Sequence, residues 1–405
     1  MDPYAPLRNR NFRRIIASHG ALTLAREAQI VVVSWQVYAL TKDPLSLGLI
    51  GLAEAVPFIG IALYAGHVAD RMPRRTVAVA GTFGLLVSAL ALLLLTLTPG
   101  AMTAERVWPV YLIVAVSAIA RSFTRPAALA LTAEVIPREQ YASGVAWRTS
   151  TWQFAAIGGP GLGGLLYGFA GPAAAYATVV GLMTVAVGAV ASVTHSVRPV
   201  AEEEMPLGES LKAGVRFVMN EPVLLAAMTL DLFAVLFGGA VALLPAFATI
   251  LGAGPQGLGL LRAAPAAGSI LTGLWIAHRP KMRHAGPLLF ASVAAFGVCM
   301  IAFALSRSLW LSFALLLASG MCDNVSVVIR STLMQMRTPE QMLGRVSSVN
   351  QMFIGASNEI GAFESGVAAR LMGVVPSVIF GGCMTLVVVG LTAWRAPHLR
   401  RLQSL

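Results

Sequence analysis

Charged residues are scarce in this chain of 405 residues: they make up 12% of it, against 57% for hydrophobic residues. A soluble globular domain usually carries about 25% charged residues, so most of this chain cannot form a water-exposed surface. The three cysteines, Cys299, Cys322 and Cys383, fall in apolar stretches, and the sequence predicts neither a disulfide framework nor a metal site. It also lacks a nucleotide-binding loop and a Ser/His/Asp arrangement, so we expect no cofactor and no enzymatic activity.

Long apolar segments are what the chain has in abundance. A membrane-spanning helix needs roughly 20 apolar residues, and the sequence offers such segments almost from end to end. The first follows a basic N-terminus and has no small-residue cleavage site, which favours a retained helix over a removed signal peptide. We predict an all-α membrane protein with 12 transmembrane helices. The predicted spans are 14–40, 45–65, 76–98, 108–130, 143–169, 173–195, 222–249, 256–277, 286–305, 309–332, 343–370 and 375–394.

A net charge of +11 can indicate a nucleic-acid partner. The positions of the charges along the chain decide whether it does so here. With an inside N-terminus, 19 Lys/Arg lie on cytoplasmic segments, 4 on outside segments and 6 within spans. This asymmetry is typical of inner-membrane proteins, whose cytoplasmic loops are rich in cations. We therefore expect a multi-pass protein of the bacterial inner (cytoplasmic) membrane, with both termini cytoplasmic, the lipid bilayer as its surroundings and no nucleic-acid partner.

The longest interruption of apolarity divides the chain in two. We predict an N-terminal six-helix bundle over 1–197, a cytoplasmic linker with a short amphipathic helix over 198–220, and a C-terminal six-helix bundle over 221–405. The halves contain a short repeat, since Glu139-Gln140 precedes the fifth span and Glu340-Gln341 precedes the eleventh, 201 residues later. Two six-helix halves are the plan of major facilitator transporters, which bind substrate between them near the bilayer midplane.

The loop between the second and third spans carries the pattern G-x-x-x-D-R-x-x-R-R. An acid among three cations can form switchable ion pairs, and a proline inside the pattern stops the helix. The alternative is that the arginines only anchor the topology of the chain. In the family that this chain resembles, named below, the loop latches the two halves, which implies that Asp70 pairs with Arg345 or with the positive end of the eleventh helix. The predicted gate residues are Gly66, Asp70, Arg71, Arg74, Arg75 and Arg345.

The fifth span contains Gly159, Pro160, Gly163 and Gly164, the core of a motif found mainly in antiporters. Positions without side chains let helices approach closely, whatever the function. The full antiporter pattern has a further glycine where this chain has Ala155. The motif therefore favours export, with ordinary helix packing as the alternative.

Ionisable residues inside membrane spans are costly and are candidates for function. A carboxylate in an apolar cavity can bind a proton and release it when a cation approaches. Each acid can equally be held in a static pair, for example Glu27 with Arg121, or Asp323 with Arg330 seven residues later. We take Glu27 and Asp231 as the leading proton sites because the first and seventh spans occupy matching places in the two halves. The candidates for proton coupling are Glu27, Asp231, Asp323, Glu359 and Glu54.

A second set of residues is predicted to line the substrate cavity. Asn350 and Ser357 share a face of the eleventh span, although polar residues also hold helices together. Trp35, Trp147 and Trp152 are able to stack against an aromatic substrate, and Trp147 and Trp152 fit better as interfacial anchors. The cavity candidates are Arg26, Arg121, Asn350, Ser357, Asn358 and Trp35.

With these motifs, the chain resembles the exporter branch of the major facilitator superfamily that includes the enterobactin exporter and macrolide efflux proteins. The resemblance covers nearly the whole length, from Leu7-Arg8-Asn9-Arg10-Asn11 at the start to Thr338-Pro339-Glu340-Gln341 before the eleventh span. It implies export by proton antiport and the loop latch. It does not specify a substrate, because the branch handles siderophores, antibiotics and other amphiphiles.

The sequence as a whole predicts a secondary active transporter, working as a monomer, whose partners are protons and a small molecule. Our main hypothesis is a proton-coupled antiporter that exports an amphiphilic small molecule, such as a siderophore or drug, by alternating access. Two alternatives stay open at this point. One is an uptake symporter of the same fold, since the antiporter pattern is incomplete. The other is a membrane receptor or chaperone that transports nothing.

Overall fold

The computed structural model describes residues 2–194, 207–238, 240–278 and 284–403. All regular secondary structure within these ranges is helical, and the predicted all-α fold class is confirmed. Short helical turns at Ala5–Arg8, Arg138–Gln140, Ala240–Leu243, Leu244–Ile250 and Pro397–Arg400 accompany the long helices. The long helices are α1 (Arg10–Thr41), α2 (Pro44–Arg71), α3 (Arg74–Leu97), α4 (Trp108–Val135), α5 (Tyr141–Ala191), α6 (Leu207–Asn220), α7 (Pro222–Phe237), α8 (Gly254–Ala277), α9 (Ala285–Leu305), α10 (Leu309–Arg337), α11 (Glu340–Met372) and α12 (Val374–Arg395).

The helices are long enough to cross a bilayer. Among the described residues, nine helical segments have the length and apolar composition of membrane spans, and one of them, Arg138–Ala191, is long enough for two crossings. Helices α1 and α11 hold 32 and 33 residues but carry more charged side chains. Large apolar side chains such as Phe169, Leu371 and Trp394 are exposed on the outside, as is usual for a surface that faces lipid.

A bend at Gly171 joins the fifth and sixth predicted spans into the single run α5. Gly171 has φ 82° and ψ 175°, a backbone conformation that residues with a side chain rarely adopt. Pro172 follows and cannot donate the next backbone hydrogen bond. The spans predicted at 143–169 and 173–195 are therefore the two arms of α5, and the second arm ends at Ala191.

The chain folds into two compact units, which we call unit 1 and unit 2. Unit 1 consists of Met1–Lys42, Ala53–Glu204 and Gly254–Ala263, and unit 2 consists of Asp43–Leu52, Met205–Ala253 and Ala264–Leu405. Each unit thus contains a short helical segment from the other half of the sequence. The division into six-helix bundles at 1–197 and 221–405 stays a prediction, and residues 195–206 of the predicted linker lie outside the described ranges.

Each unit has its own apolar core. In unit 1, Phe12, Leu131 and Val193 belong to one cluster of fully buried side chains. In unit 2, Leu224, Leu289 and Ile329 belong to another. The amphipathic helix α6 packs on α11 within unit 2, where a methyl group added at Gly214 would lie 3.0 Å from the Arg345 carbonyl oxygen. Charged side chains that occur inside these packed helices are the exceptions, and they define the candidate site.

Candidate functional site

The charged residues inside the membrane-spanning helices are divided unequally between the units. Of the charged residues that lie at least six positions from both ends of their helix, unit 1 holds five of the six arginines, and unit 2 holds four of the six acids. Charges at membrane depth are costly unless they serve as partners or binding groups, so we treat this intramembrane set as the candidate site. Its members are Glu27, Glu54, Arg26, Arg121, Arg125, Arg148 and Arg262 in unit 1, and Asp231, Asp323, Arg330, Glu359 and Glu364 in unit 2.

In unit 2, two acids surround one arginine. Arg330 of α10 forms an ion pair with Asp231 of α7, and each side chain is only 10% exposed. The Nε of Arg330 donates a hydrogen bond of 3.2 Å to the hydroxyl of Ser326. Asp323, two turns before Arg330, interacts electrostatically with both Asp231 and Arg330. We call Asp231, Asp323 and Arg330 the acid cluster.

The acid cluster differs from the static pair that we considered within the tenth span. The ion pair of Arg330 reaches across to α7, and Asp323 on its own helix is the third member. Asp231 and Arg330 are far apart in sequence, and only the packing of α7 near α10 brings them together. The cluster therefore has two carboxylates for one guanidinium.

In unit 1, Arg121 of α4 pairs with Glu54 of α2. Their side-chain atoms Nη1 and Oε2 are 2.9 Å apart, and the two side chains are 17% and 20% exposed. The guanidinium also lies 5.5 Å from the ring centre of Phe58, a cation–π contact. Arg121 thus has an acid partner other than Glu27, the partner that the sequence suggested. The Glu27 Cβ packs beside Gly159 on α5.

Further cations continue from Arg121 along one side of unit 1. Arg125 lies within Coulombic range of Arg121, and Arg148 of α5 lies within range of Arg125. His19 of α1 interacts with both the side chain and the backbone of Arg148. The Nη1 of Arg148 and the Nε2 of His19 are buried and have no hydrogen-bond partner among the described residues. We call Arg121, Arg125 and Arg148 the cation ladder, and His19 lies beside Arg148 at its outer end.

The glycines of the fifth-span motif let α5 touch its neighbours backbone to backbone. A methyl group added at Gly163 would lie 2.6 Å from the Ala28 carbonyl oxygen of α1, and one at Gly159 would lie 2.5 Å from the Glu27 Cβ. At Gly164 the nearest atom is the carbonyl oxygen of Pro255, in the part of α8 that belongs to unit 1. The carbonyl oxygen of Pro160 faces Gly259 in the same way. No other residue would fit at Gly163 without moving α1.

The predicted gate loop is partly described. Arg74 pairs with Glu134 at 3.1 Å, and Arg75 donates a hydrogen bond of 2.6 Å to the Ala191 carbonyl oxygen, so both tie α3 to other helices of unit 1. Arg71 is exposed. The surroundings of Gly66 and the side chain of Asp70 lie outside the described part of the chain. The pairing of Asp70 with Arg345 therefore stays a prediction.

The sequence of residues 1–404 matches the family described as transmembrane secretion effectors, a family of the major facilitator superfamily. The chain belongs to this family. The match covers both units and all of the helices described above. The transmembrane secretion effector family consists of multi-pass membrane transporters, and the resemblance to the exporter branch drawn from the motifs is confirmed.

Relatives of this family member include named exporters. The enterobactin exporter EntS of Shigella flexneri is 26% identical over 377 residues, which cover 92% of this chain and 88% of the exporter. The enterobactin exporter EntS of Citrobacter koseri is 27% identical over 365 residues, with 89% and 85% covered.

Two solved transporter structures share the fold of this transmembrane secretion effector. A POT family transporter in complex with 5-aminolevulinic acid superposes with a TM-score of 0.75 at 10% identity, covering 96% of this chain and 97% of that one. The nucleoside transporter NupG superposes with a TM-score of 0.72 at 11% identity, covering 95% and 100%. At such low identity the likeness concerns the fold, and it confirms the predicted major facilitator architecture.

The remaining cavity candidates of this family member are spread over α1 and α11. Ser357 and Asn358 donate hydrogen bonds of 2.6 and 2.8 Å to carbonyl oxygens of their own helix, so these bonds do not connect helices. Asn350, Glu359 and Trp35 are half-buried. The indole of Trp147 donates to the Pro3 carbonyl oxygen at 2.9 Å, which ties the N-terminal segment to α5.

The cation ladder is the part of the site that sequence reasoning missed. Of the three arginines in the ladder, only Arg121 was among the candidates. One signal was available: Arg121 and Arg125 are four residues apart and share a helical face. Within the described ranges, no group of three or more metal-binding side chains occurs.

Proposed function

We propose that this transporter is a proton-coupled antiporter that exports an amphiphilic small molecule by alternating access. The observation that carries the proposal is the acid cluster, in which Asp231 and Asp323 share one cation inside the membrane-spanning helices of unit 2. Proton relays in membrane transporters are built from such buried carboxylates. The transporter is proposed to work as a monomer in the bacterial inner membrane.

The charge balance of the acid cluster explains how it can hold a proton. Arg330 compensates one carboxylate, and a second negative charge beside it would be left without a partner in an apolar surrounding. One proton bound to the cluster makes it neutral. When the cluster opens to the side with fewer protons, Arg330 can take over the carboxylate that loses its proton. Proton binding and release are thus linked to a rearrangement of side chains on α7 and α10.

Three features support export as the direction. The relatives EntS are named enterobactin exporters, which also supports siderophore-like solutes as substrates. The glycine motif of α5 has the core sequence of a motif found mainly in antiporters. The cation asymmetry of the loops supports an orientation with both termini on the cytoplasmic side. With that orientation, the Asp70 loop is proposed as a cytoplasmic gate with Arg345, and Glu27, Glu54 and Glu359 as further proton-coupling candidates.

Inverted membrane vesicles with an acidified lumen test this function. We expect vesicles containing the wild-type protein to accumulate enterobactin or the lipophilic dye N-phenyl-1-naphthylamine, and to lose part of their proton gradient when the solute is added. Asp323→Asn keeps the ion pair of Arg330 and removes the second carboxylate. We expect this variant to insert normally and to lose gradient-driven accumulation while still exchanging solute down a concentration gradient.

The same vesicles separate the alternatives. Solute that leaves an acidic lumen together with protons would identify an uptake symporter. Full gradient-driven accumulation by both Asp323→Asn and Asp231→Asn would show that the acid cluster does not couple protons. Absence of any solute movement by wild-type protein, together with an intact gradient, would favour the receptor or chaperone hypothesis. Glu221→Gln, which changes a partly exposed acid outside the cluster, is the matched control.

A further inference from the structure

The cation ladder of unit 1 is separate from the acid cluster, and its members come from two helices. Arg121 and Arg125 lie on α4 and Arg148 lies on α5, and each interacts electrostatically with the next. His19 of α1 lies beside Arg148. Neighbouring like charges repel one another and are disfavoured at low dielectric. A cluster of this kind is kept in a fold when its charges serve something other than stability.

The ladder rises from one end of unit 1 towards the middle of the helices. Arg148 is seven residues from the start of α5, Arg125 ten from the end of α4, and Arg121 fourteen from that end. At 1.5 Å per residue these depths are about 10, 15 and 21 Å. The end of α4 and the start of α5 are joined by a short turn, so the depths are measured from the same side. Three guanidinium groups thus follow one another into the helix bundle.

The inner end of the ladder is neutralised and the outer part keeps unused donors. Glu54 compensates Arg121 at 2.9 Å. Further out, Nη1 of Arg148 is buried, and so is Nε2 of the neighbouring His19, and neither has a hydrogen-bond partner among the described residues. Such groups are rare in folded proteins unless a ligand or water meets them. Arg125 is nevertheless exposed, so the ladder is open to a solute from at least one side.

We propose that the cation ladder binds an anionic group of the transported solute, so that the substrate class is amphiphilic anions such as carboxylates or sulfonates. This rests on the proposed transport function. Arginine forks bind planar or tetrahedral oxyanions through two parallel hydrogen bonds, and Arg125 lies within Coulombic range of Arg148. At the inner end the anion competes with Glu54 for Arg121, while the ring of Phe58 beside Arg121 offers apolar contact.

Two dyes with the same ring system test the charge requirement. 1-Anilinonaphthalene-8-sulfonate carries a sulfonate, and N-phenyl-1-naphthylamine is the same skeleton without it. Binding of each is measured on the full chain in phosphatidylcholine nanodiscs, with empty nanodiscs as the blank. We expect Arg148→Gln to weaken sulfonate binding by about tenfold, as for the loss of one charge-assisted hydrogen bond. Binding of the neutral dye should stay the same, and Arg148→Lys should retain part of the sulfonate affinity.

Arg138→Gln is the matched control, since Arg138 is exposed in the turn between α4 and α5. It removes the same charge near the ladder and should leave both dyes unaffected. Equal losses of sulfonate binding in Arg148→Gln and Arg138→Gln would overturn the proposal, because a general surface potential would then explain the preference. Equal losses of both dyes in Arg148→Gln would overturn it as well. Abolition of the Arg148-dependent binding in phosphatidylglycerol nanodiscs would assign the ladder to a lipid headgroup.

Thermal melting of the ligand-free variants distinguishes a binding role from a structural one. Removing one of several like charges should leave the melting temperature of Arg148→Gln unchanged or raise it, whereas a structural arginine would lower it. The dye titrations need no proton gradient. The proposed transport can therefore fail in vesicles while the ladder still selects the sulfonate, and the ladder can fail to select it while transport persists.

Discussion

Units 1 and 2 carry opposite excesses of charge inside their membrane-spanning helices. Unit 1 contains five intramembrane arginines and two acids, and unit 2 contains one arginine and four acids. Taken over both units the intramembrane set is neutral, so the difference is one of placement. A proton site needs carboxylates in excess, and a site for anions needs guanidinium groups in excess. The comparison suggests that the units divide the two tasks, protons at the acid cluster and solute at the cation ladder.

The units are alike in the way each combines a compensated pair with a surplus charge. Glu54 with Arg121 and Asp231 with Arg330 are the compensated pairs, both largely buried. The surplus charge of unit 1 is Arg148, which belongs to the same ladder as Arg121. The surplus charge of unit 2 is Asp323, which lies beside the second pair. Removing a surplus charge should therefore be tolerated by the fold, whereas removing half of a pair should not.

The largest effect is expected for Arg330→Gln. It takes away the only cation of the acid cluster and leaves Asp231 and Asp323 close together without a partner. Breaking a buried ion pair from one side typically costs about 3–5 kcal/mol, and we expect a loss of that size in the free energy of unfolding. Titration with a denaturing detergent, followed by circular dichroism, measures it.

Asp323→Asn is the matched variant of Arg330→Gln, because it removes the surplus acid of the same cluster. Its unfolding free energy should equal or exceed that of the wild type. A loss for Asp323→Asn as large as for Arg330→Gln would break the comparison, since Asp323 would then belong to the compensated part of the cluster.

A smaller effect is expected for Gly163→Ala, which separates packing from charge in unit 1. The added methyl group would meet the Ala28 carbonyl oxygen and Cα at 2.6 and 2.9 Å, so α1 and α5 must move apart. Overpacking of this kind costs about 1–3 kcal/mol. The melting temperature of the purified protein should fall accordingly.

Gly161→Ala is the control on the same helix, two residues before Gly163. Nothing lies within 4 Å of its added methyl group, and alanine is the better helix former by about 0.5–1 kcal/mol. Its melting temperature should be unchanged or higher. Equal effects at both positions would show that helix propensity, rather than contact with α1, governs this part of unit 1.

The fold was largely predictable from the sequence, because long apolar segments have few other uses. The predicted span 286–305 and the helix Ala285–Leu305, for example, differ by one residue. The bend at Gly171 was harder to predict from the sequence. A Gly-Pro step signals a break in a helix, but whether the two arms stay continuous depends on the backbone conformation of one residue. Helix ends such as Arg71 and Arg337 extend past the predicted spans because polar residues continue a helix into the interface.

The candidate residues were accessible from the sequence, and their partners were not. Asp231, Asp323, Glu54 and Arg121 stood out because each is charged in an apolar stretch. Their pairing depends on which helix faces which, and neighbours along one helix are a poor guide to it. Reasoning along the chain joined Asp323 to Arg330, whereas the packing of the helices brings Asp231 to that arginine. The role of Arg148 also became visible only when α1, α4 and α5 were seen together.

The smallest effect is expected for Arg370→Gln, which tests whether ion pairs outside the intramembrane set matter. Arg370 pairs with Asp43 within unit 2 at 2.9 Å, but their side chains are 58% and 34% exposed. Exposed pairs contribute at most about 1 kcal/mol, so the unfolding free energy should change by no more than that in the detergent titration. Asp43 keeps its hydrogen bond from the Leu45 amide in this variant, so only the ion pair is lost. A loss as large as that of Arg330→Gln would mean that burial does not separate the important charges from the others, and the contrast between the units would lose its energetic basis.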